Sequence, residues 1–162
     1  MKLTKTLIAS ALFLATSSLA IAATDSTNIE INVTKDAYVN LIGDLQGNVV
    51  KTLALADLNA TTTTLGTLGT ESNTTGTCDV AFTSDNDFRL VHDTDAALYL
   101  HGANKYTIDW EGATISSGGT STVNLLTCNN VASNFEMTSP ALPAVVIAGT
   151  YKDILHVTVT TQ

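Results

Sequence analysis

Positive charge is scarce in this sequence. Its 162 residues include seven Lys and Arg against fifteen Asp and Glu, and the formal net charge at pH 7 is −8. Nucleic acids and anionic lipid surfaces are bound through clustered Lys and Arg side chains. The few basic residues of this chain are scattered instead. The composition therefore argues against nucleic acid or a membrane surface as a partner.

Recognisable catalytic and metal-binding motifs are lacking as well. His92, His101 and His156 are isolated, and the sequence contains no Gly-x-Ser-x-Gly or His-Glu-x-x-His motif. The acidic segment SDNDFRLVHDTD invites a calcium interpretation, but Arg89 and Leu90 stand where an EF-hand needs a ligand and a glycine. We therefore expect solvated turn carboxylates, a surface position for His156, no metal or cofactor, and a protein that is not an enzyme.

Long hydrophobic runs are absent except near the N-terminus. Lys2 and Lys5 precede an apolar run over residues 7–15, and small residues follow up to Ala22. This order is typical of a signal peptide, and the run is too short for a membrane-spanning helix. We predict cleavage after Ala22, with Ala23 as the alternative and a retained N-terminal anchor as the competing interpretation. Export would pass through the periplasm.

Cysteine is limited to two residues, Cys78 and Cys128. Removal of residues 1–22 takes away two lysines and no acid, so the net charge becomes −10 in a mature chain long enough for one domain. An even pair of cysteines in an exported protein predicts a disulfide bond, worth about 4 kcal/mol in the chain-entropy model. Metal ligation and a redox pair are the alternatives, but the sequence has no C-x-x-C motif and no nearby histidine at ligand spacing.

Helical periodicity is also scarce, and short apolar runs alternate with Gly, Asn, Asp and Ser clusters. This pattern predicts an all-β sandwich. The Thr-rich segment 58–77 is interpreted as a surface loop or irregular edge, and 51–58 could form a short helix. Trp110 is expected in the core or half-buried on a sheet, in preference to a sugar-stacking platform. The candidate strands are 37–42, 49–55, 77–83, 88–92, 97–101, 106–110, 123–128, 134–137 and 144–161.

Both ends of the mature chain have the alternation of a strand with one apolar face. Near the start, Ile29, Ile31 and Val33 alternate with polar residues, and the last residues of the chain alternate in the same way. A sheet with an incomplete edge exposes unpaired backbone groups, and a neighbouring molecule can add a strand to it. The alternative is that residues 27–34 pair within their own domain as an ordinary first strand.

The two ends also carry a family resemblance. The C-terminal AGTYKDILHVTVTTQ resembles the closing strand of chaperone–usher fimbrial subunits and of the plague capsule antigen, since Ala148, Gly149, Tyr151 and Asp153 match the pattern A-G-x-Y-x-D. The N-terminal IEINVTKDAYVNLIG resembles the start of the colonisation-factor major pilins. The resemblance implies an immunoglobulin-like β-sandwich that lacks its last strand and is completed by donor-strand complementation.

The resemblance further implies a division into a signal peptide (1–22), a donor-strand extension (23–35) and a pilin domain (36–162). The donor residues would be Ile29, Ile31 and Val33, whose burial is worth roughly 5–9 kcal/mol gross. Gln162 would contact a periplasmic chaperone before an outer-membrane usher adds the subunit to a linear homopolymer. The acceptor groove would be lined by Val39, Leu41, Leu155, Val157 and Val159.

The expected function is therefore that of a structural subunit of a cell-surface fimbria, serving adhesion or biofilm formation on a host receptor or surface. Two other classes remain open at the level of the sequence. A monomeric secreted β-sandwich could bind a carbohydrate beside Trp110. A secreted enzyme is the third class, although no nucleophile–base pair can be named for it.

Overall fold

The computed structural model describes residues 30, 31 and 33–162, of which Lys35–Gln162 form one compact unit. This unit is all-β, as expected, and its strands pair antiparallel. No helix among the described residues has the length and hydropathy needed to cross a membrane. The part of the chain that the structure describes has one 3-10 helix, Leu55–Leu58. The strands are β1 (Val39–Ile42), β2 (Thr62–Ser72), β3 (Cys78–Ser84), β4 (Val91–His92), β5 (Thr107–Trp110), β6 (Ala113–Ile115), β7 (Ser121–Leu125), β8 (Asn130–Thr138), β9 (Tyr151–Lys152) and β10 (Leu155–Thr161).

The strands form three sheets. The largest has the order β1-β2-β8-β5-β6, the second has the order β10-β3-β7, and β4 pairs with β9 in a small third sheet. Within the described residues, β1 pairs only with β2, and β10 pairs only with β3. Strands β1 and β10 are therefore edge strands, and they also approach each other across the two larger sheets.

Strand β2 corrects the interpretation of segment 58–77 as a loop. The strand lies inside the largest sheet, between β1 and β8, and its register with β8 shifts at two bulges. The first bulge, at Leu65, changes which face the following residues occupy, so Leu65 and Leu68 both pack toward the core although they are three residues apart. Gly69 allows the close approach to β8, because a Cβ there would lie 2.7 Å from the Ala132 backbone. Threonine elsewhere in the strand suits a pleated surface.

The segment after β1 also differs from expectation. The strand predicted at 49–55 is wrong, and the short helix suggested at 51–58 is confirmed only for its second half, as the 3-10 helix Leu55–Leu58. Strand β1 ends because Gly43 takes a φ of 106° and turns the chain. The predicted strand 97–101 forms turns with one isolated bridge, and 144–161 is extended only from Tyr151 onward.

The core lies between the two larger sheets and is built on aromatic residues. Phe82 packs edge-on against Trp110 at 5.6 Å between ring centroids and stacks on Phe135 at 5.9 Å. Trp110 is 1% exposed, and its indole N–H donates to the Leu68 carbonyl oxygen at 3.0 Å. The expectation of a core tryptophan is confirmed. A ring in this position has no face available for stacking a sugar.

One end of the unit, the disulfide end, joins the two larger sheets covalently. Cys78 in β3 is bonded to Cys128 in the loop between β7 and β8, which confirms the predicted disulfide. Both the beginning and the end of the unit lie here. The Asn73 side chain donates to the Asp36 carbonyl oxygen at 2.8 Å, and the Gln162 backbone N–H donates to the Thr77 carbonyl oxygen at 3.0 Å.

We call the opposite end the open end. In the second sheet, the first residue of β10 pairs there with the last residue of β3. In the largest sheet, Thr62 of β2 pairs there with Thr138 of β8. The sheets are linked there by a hydrogen bond instead of a disulfide. The Tyr106 hydroxyl, just before β5, donates to the Asp153 carboxylate, just before β10, at 2.6 Å.

Candidate functional site

An apolar groove opens between the edge strands β1 and β10. Its cavity has a volume of about 770 Å³. Leu41 of β1 lines one wall, and Leu155 and Val157 of β10 line the other. The groove therefore runs along two strand edges and reaches into the core. The other apolar core residues that line it are Leu45, Leu53, Leu65, Leu68, Leu90, Phe135 and Met137.

The structure brings the five predicted acceptor residues onto these two edge strands. Leu41, Leu155 and Val157 line the cavity, while Val39 and Val159 are half-buried against the core outside it. The acceptor role itself remains a prediction. Sequence reasoning did not find the contribution of β2, because segment 58–77 was interpreted as a loop. The one signal for it was the pair of leucines in a run otherwise made of Thr and Gly.

The backbone of β10 is available on the groove side. In an antiparallel pair, alternate residues of an edge strand bond to the neighbour, and the remaining N–H and C=O groups point away from it. Among residues 30, 31 and 33–162, the seven residues of β10 pair on one side only, with Ser84 through Cys78 of β3. At about 3.4 Å per residue, β10 presents an edge of roughly 24 Å. A strand of seven or eight residues would match that edge.

The chain between β1 and the 3-10 helix forms part of the groove without belonging to a sheet. Residues 47–51 and Leu53 line the cavity, and within the described part of the chain residues 47–53 make no backbone–backbone hydrogen bonds. A second cavity of about 560 Å³ shares Val50, Leu53 and Leu90 with the first and extends toward Gly149. This part of the chain therefore forms a wall that the two cavities share.

A polar cluster closes the groove at the open end. The Asp153 carboxylate accepts hydrogen bonds from the hydroxyls of Ser84 and Tyr106, both at 2.6 Å, and from the backbone N–H groups of Asn86 and Ile154 at 3.1 and 2.8 Å. Burial raises the pKa of the Tyr106 phenol well above its ordinary value, and the hydrogen bond to Asp153 raises it further. In this cluster the Tyr106 phenol therefore stays protonated, and it is one of the four donors that bond to the Asp153 carboxylate.

The described donor residues lie outside any strand. Ile31 is 80% exposed and Val33 is 87% exposed, while Ile29 lies outside the described residues. At the other terminus, the Gln162 side chain donates to the Asp79 carboxylate at 2.7 Å. The pairing of the donor residues with the groove and the contact of Gln162 with a chaperone both remain predictions.

The acidic segment does not converge on one point. Asp87 is held by Lys105 and Arg89, and the hydrogen bond from Lys105 lowers the pKa of the Asp87 carboxyl. Asp85 instead pairs with the exposed His156, whose Nε2 lies 2.8 Å from the Asp85 carboxylate. Within residues 30, 31 and 33–162, no group of three or more His, Cys, Asp or Glu side chains is arranged to hold a metal ion.

The other two histidines serve the packing of loops. His101 is buried, and its Nε2 lies 2.8 Å from the Leu58 carbonyl oxygen. His92 packs edge-on against Tyr151 and lies 3.2 Å from the Ala148 carbonyl oxygen. These contacts explain the positions of both histidine side chains by the packing of the chain itself. Comparison of the chain with protein-family models and with curated proteins finds no match.

Proposed function

We propose that this protein is a structural subunit of a surface fibre in which residues 27–34 of one copy complete the open sheet edge of the next. The observation that carries the proposal is the apolar groove between β1 and β10, whose walls are strand edges that no described residue pairs with. The occupant is a strand of this same chain. In this proposal the unit is an immunoglobulin-like sandwich that lacks its final strand.

The donor segment fits the groove in chemistry and length. Its apolar residues, Ile29, Ile31 and Val33, recur at the two-residue period with which a strand places side chains on one face. The two that the structure describes are exposed in the single chain. Eight residues span about 27 Å, close to the roughly 24 Å edge of β10. Such a strand would satisfy the free backbone groups of β10 and cover the leucines of the groove.

The energies favour a durable but non-covalent joint. Burial of three Ile or Val side chains contributes roughly 5–9 kcal/mol gross. Each backbone hydrogen bond along the joint adds about 0.5–1.5 kcal/mol net. Export through the periplasm, a chaperone that covers the groove before assembly, and an outer-membrane usher belong to the same proposal. The buried position of Trp110 removes the site on which the carbohydrate-binding alternative depended.

The proposal is tested by electrophoresis of the mature protein in SDS without boiling. We expect a ladder of SDS-resistant multimers from the wild type. The triple variant Ile29→Asp, Ile31→Asp, Val33→Asp should run as a monomer, because each added carboxylate would be buried without a partner. A ladder that survives these substitutions, or a wild type that runs only as a monomer, would contradict the proposal.

The control places the same three charges on the other face of the same segment. In the variant Asn28→Asp, Asn32→Asp, Thr34→Asp the carboxylates alternate with the donor residues, so they would point away from the groove. We expect this variant to keep the ladder. Loss of the ladder in both variants would indicate a general effect of charge instead of a strand with one buried face.

A further inference from the structure

Exposed apolar side chains occur in only three places among the described residues. Ile31 and Val33 belong to the extension, while Leu126 and Val131 lie at the disulfide end, on either side of Cys128 in the sequence. The others lie in segments 49–55 and 145–154, and three of them, Val49, Val50 and Ile154, line the groove. The full set in these two segments is Val49, Val50, Leu55, Val145, Ile147 and Ile154.

The distribution separates the ends of the unit from its sides. The outward positions of β10 are His156, Thr158 and Thr160, and those of β7 are Thr122 and Asn124. Large apolar groups exposed in clusters mark interaction surfaces, whereas single ones are ordinary. Leu126 is 94% exposed, Val131 is 84% exposed and Val145 is 78% exposed, so each end presents side chains that have little contact with their own unit.

We propose that consecutive copies of the chain pack end to end, with the disulfide end of one copy seated on the open end of the next. This inference rests on the proposed function, because the extension brings the two ends together. Each chain joins its folded unit at Lys35, and β1 begins at the disulfide end, where Asn73 holds Asp36. A donor strand anchored in another copy's groove therefore tethers this end to that copy.

The two ends differ, which determines the kind of assembly. A contact between two identical ends would be isologous and would close a dimer, whereas a contact between different ends repeats without closing. Leu126 and Val131 flank a disulfide in a short loop, and the open end presents a broader set of Val, Ile and Leu on two segments. The end contact would thus add a rigid second link to each strand-exchange joint and stiffen the fibre.

The first test measures fibre stiffness by electron microscopy. The variant Leu126→Asp, Val131→Asp should keep the SDS-resistant ladder and lose at least two-thirds of the persistence length of wild-type fibres. The matched control, Thr122→Asp with Asn134→Asp, adds the same charge to exposed positions on the sides of β7 and β8 and should leave stiffness unchanged. Equal stiffness of the end variant and the wild type would overturn the proposal, and so would loss of the ladder in the end variant.

The second test maps the contact directly. A photo-reactive benzophenone residue at position 126 should crosslink between copies to peptides from 49–55 or 145–154. Crosslinks to the 126–131 peptide of another copy would overturn the proposal, as would a lack of intermolecular crosslinks. If the wild type forms no ladder, the proposed function fails. Crosslinks from position 126 to the open end would then still support the end contact, and their absence would overturn it.

Discussion

At the scale of single residues, Asp153 and Tyr106 hold the open end together. Asp153 lies between β9 and β10, and Tyr106 directly precedes β5 in the other large sheet. Four donors surround the carboxylate, and two of them are backbone N–H groups next to the strands β3 and β10. Hydrogen bonds to a charged acceptor contribute about 1.5–3 kcal/mol each. This cluster therefore performs at the open end the task that the disulfide performs at the other.

The raised pKa of the Tyr106 phenol predicts a loss of stability at high pH. The unfolded chain releases the proton at a lower pH than the folded one, so the stabilisation is complete below pH 10, the ordinary tyrosine pKa, and declines as the pH rises above it. The decline should reach about 1.4 kcal/mol per pH unit. Urea unfolding of the monomeric protein between pH 8 and about pH 11 measures this decline in the free energy of unfolding.

Two substitutions separate this effect from the other tyrosines. Tyr106→Phe should cost about 1–2 kcal/mol at pH 7 and reduce the alkaline decline, because its hydroxyl is gone, while Tyr38, whose pKa is raised by the hydrogen bond to Glu71, still titrates. Tyr99→Phe removes a tyrosine hydroxyl from the preceding loop without touching Asp153, and we expect it to keep the decline. An unchanged slope in Tyr106→Phe would show that another group titrates.

At the scale of the element, β10 was predictable and β2 was not. The alternation of Leu155, Val157 and Val159 with polar residues is regular, so the sequence locates the strand and its apolar face. In β2 the two bulges break the period, and Leu65 and Leu68 fall on one face at a spacing that no regular strand has. Strand β2 forms because it pairs with β1 and β8, and the local sequence pattern carries no information about these two neighbours. The contribution of Leu65 and Leu68 to the groove was therefore not predictable from the sequence.

Adjacent residues of β10 provide a test of the groove wall. Val157 and Thr158 both line the cavity, but Val157 is half-buried, whereas Thr158, opposite Ala81 of β3, is exposed. Val157→Asp should remove most SDS-resistant multimers, because it places a charge under the incoming strand. Thr158→Asp should retain them. Circular dichroism of both monomers checks that each remains folded, and equal ladders from two folded variants would contradict the acceptor role of this wall.

At the scale of the whole molecule, the two large sheets are joined at both ends and open between them. Cys78–Cys128 links them at the disulfide end, and the Asp153 cluster links them at the open end. Between the ends, the groove side of β1 and β10 lacks a strand among the described residues. Each link lies at one end of the unit, which explains how a unit with an unfilled groove can keep its two edges aligned. The pairing of the cysteines was predictable from their number, but the tyrosine link was not, since Tyr106 and Asp153 are 47 residues apart.

The disulfide should matter more to the free subunit than to the fibre. Cys78→Ala with Cys128→Ala removes a cross-link between residues 50 apart and should lower the free energy of unfolding by about 4 kcal/mol in the chain-entropy model. Urea unfolding of the monomeric triple Asp variant measures this loss. Tyr106→Phe acts at the opposite end, so its effect should add to that of the cysteine pair within about 0.5 kcal/mol.

In the fibre, the donor strand would contact both β1 and β10 and link the two sheets along their length. Its gross contribution of roughly 5–9 kcal/mol exceeds the loss of the disulfide. Multimers of the cysteine-free protein should therefore stay resistant to SDS even though its free monomer unfolds at a lower urea concentration. The opposite outcome is that the cysteine-free multimers dissociate in SDS while the wild-type multimers persist. The SDS resistance of the multimers would then have to be assigned to the disulfide end and not to the strand in the groove.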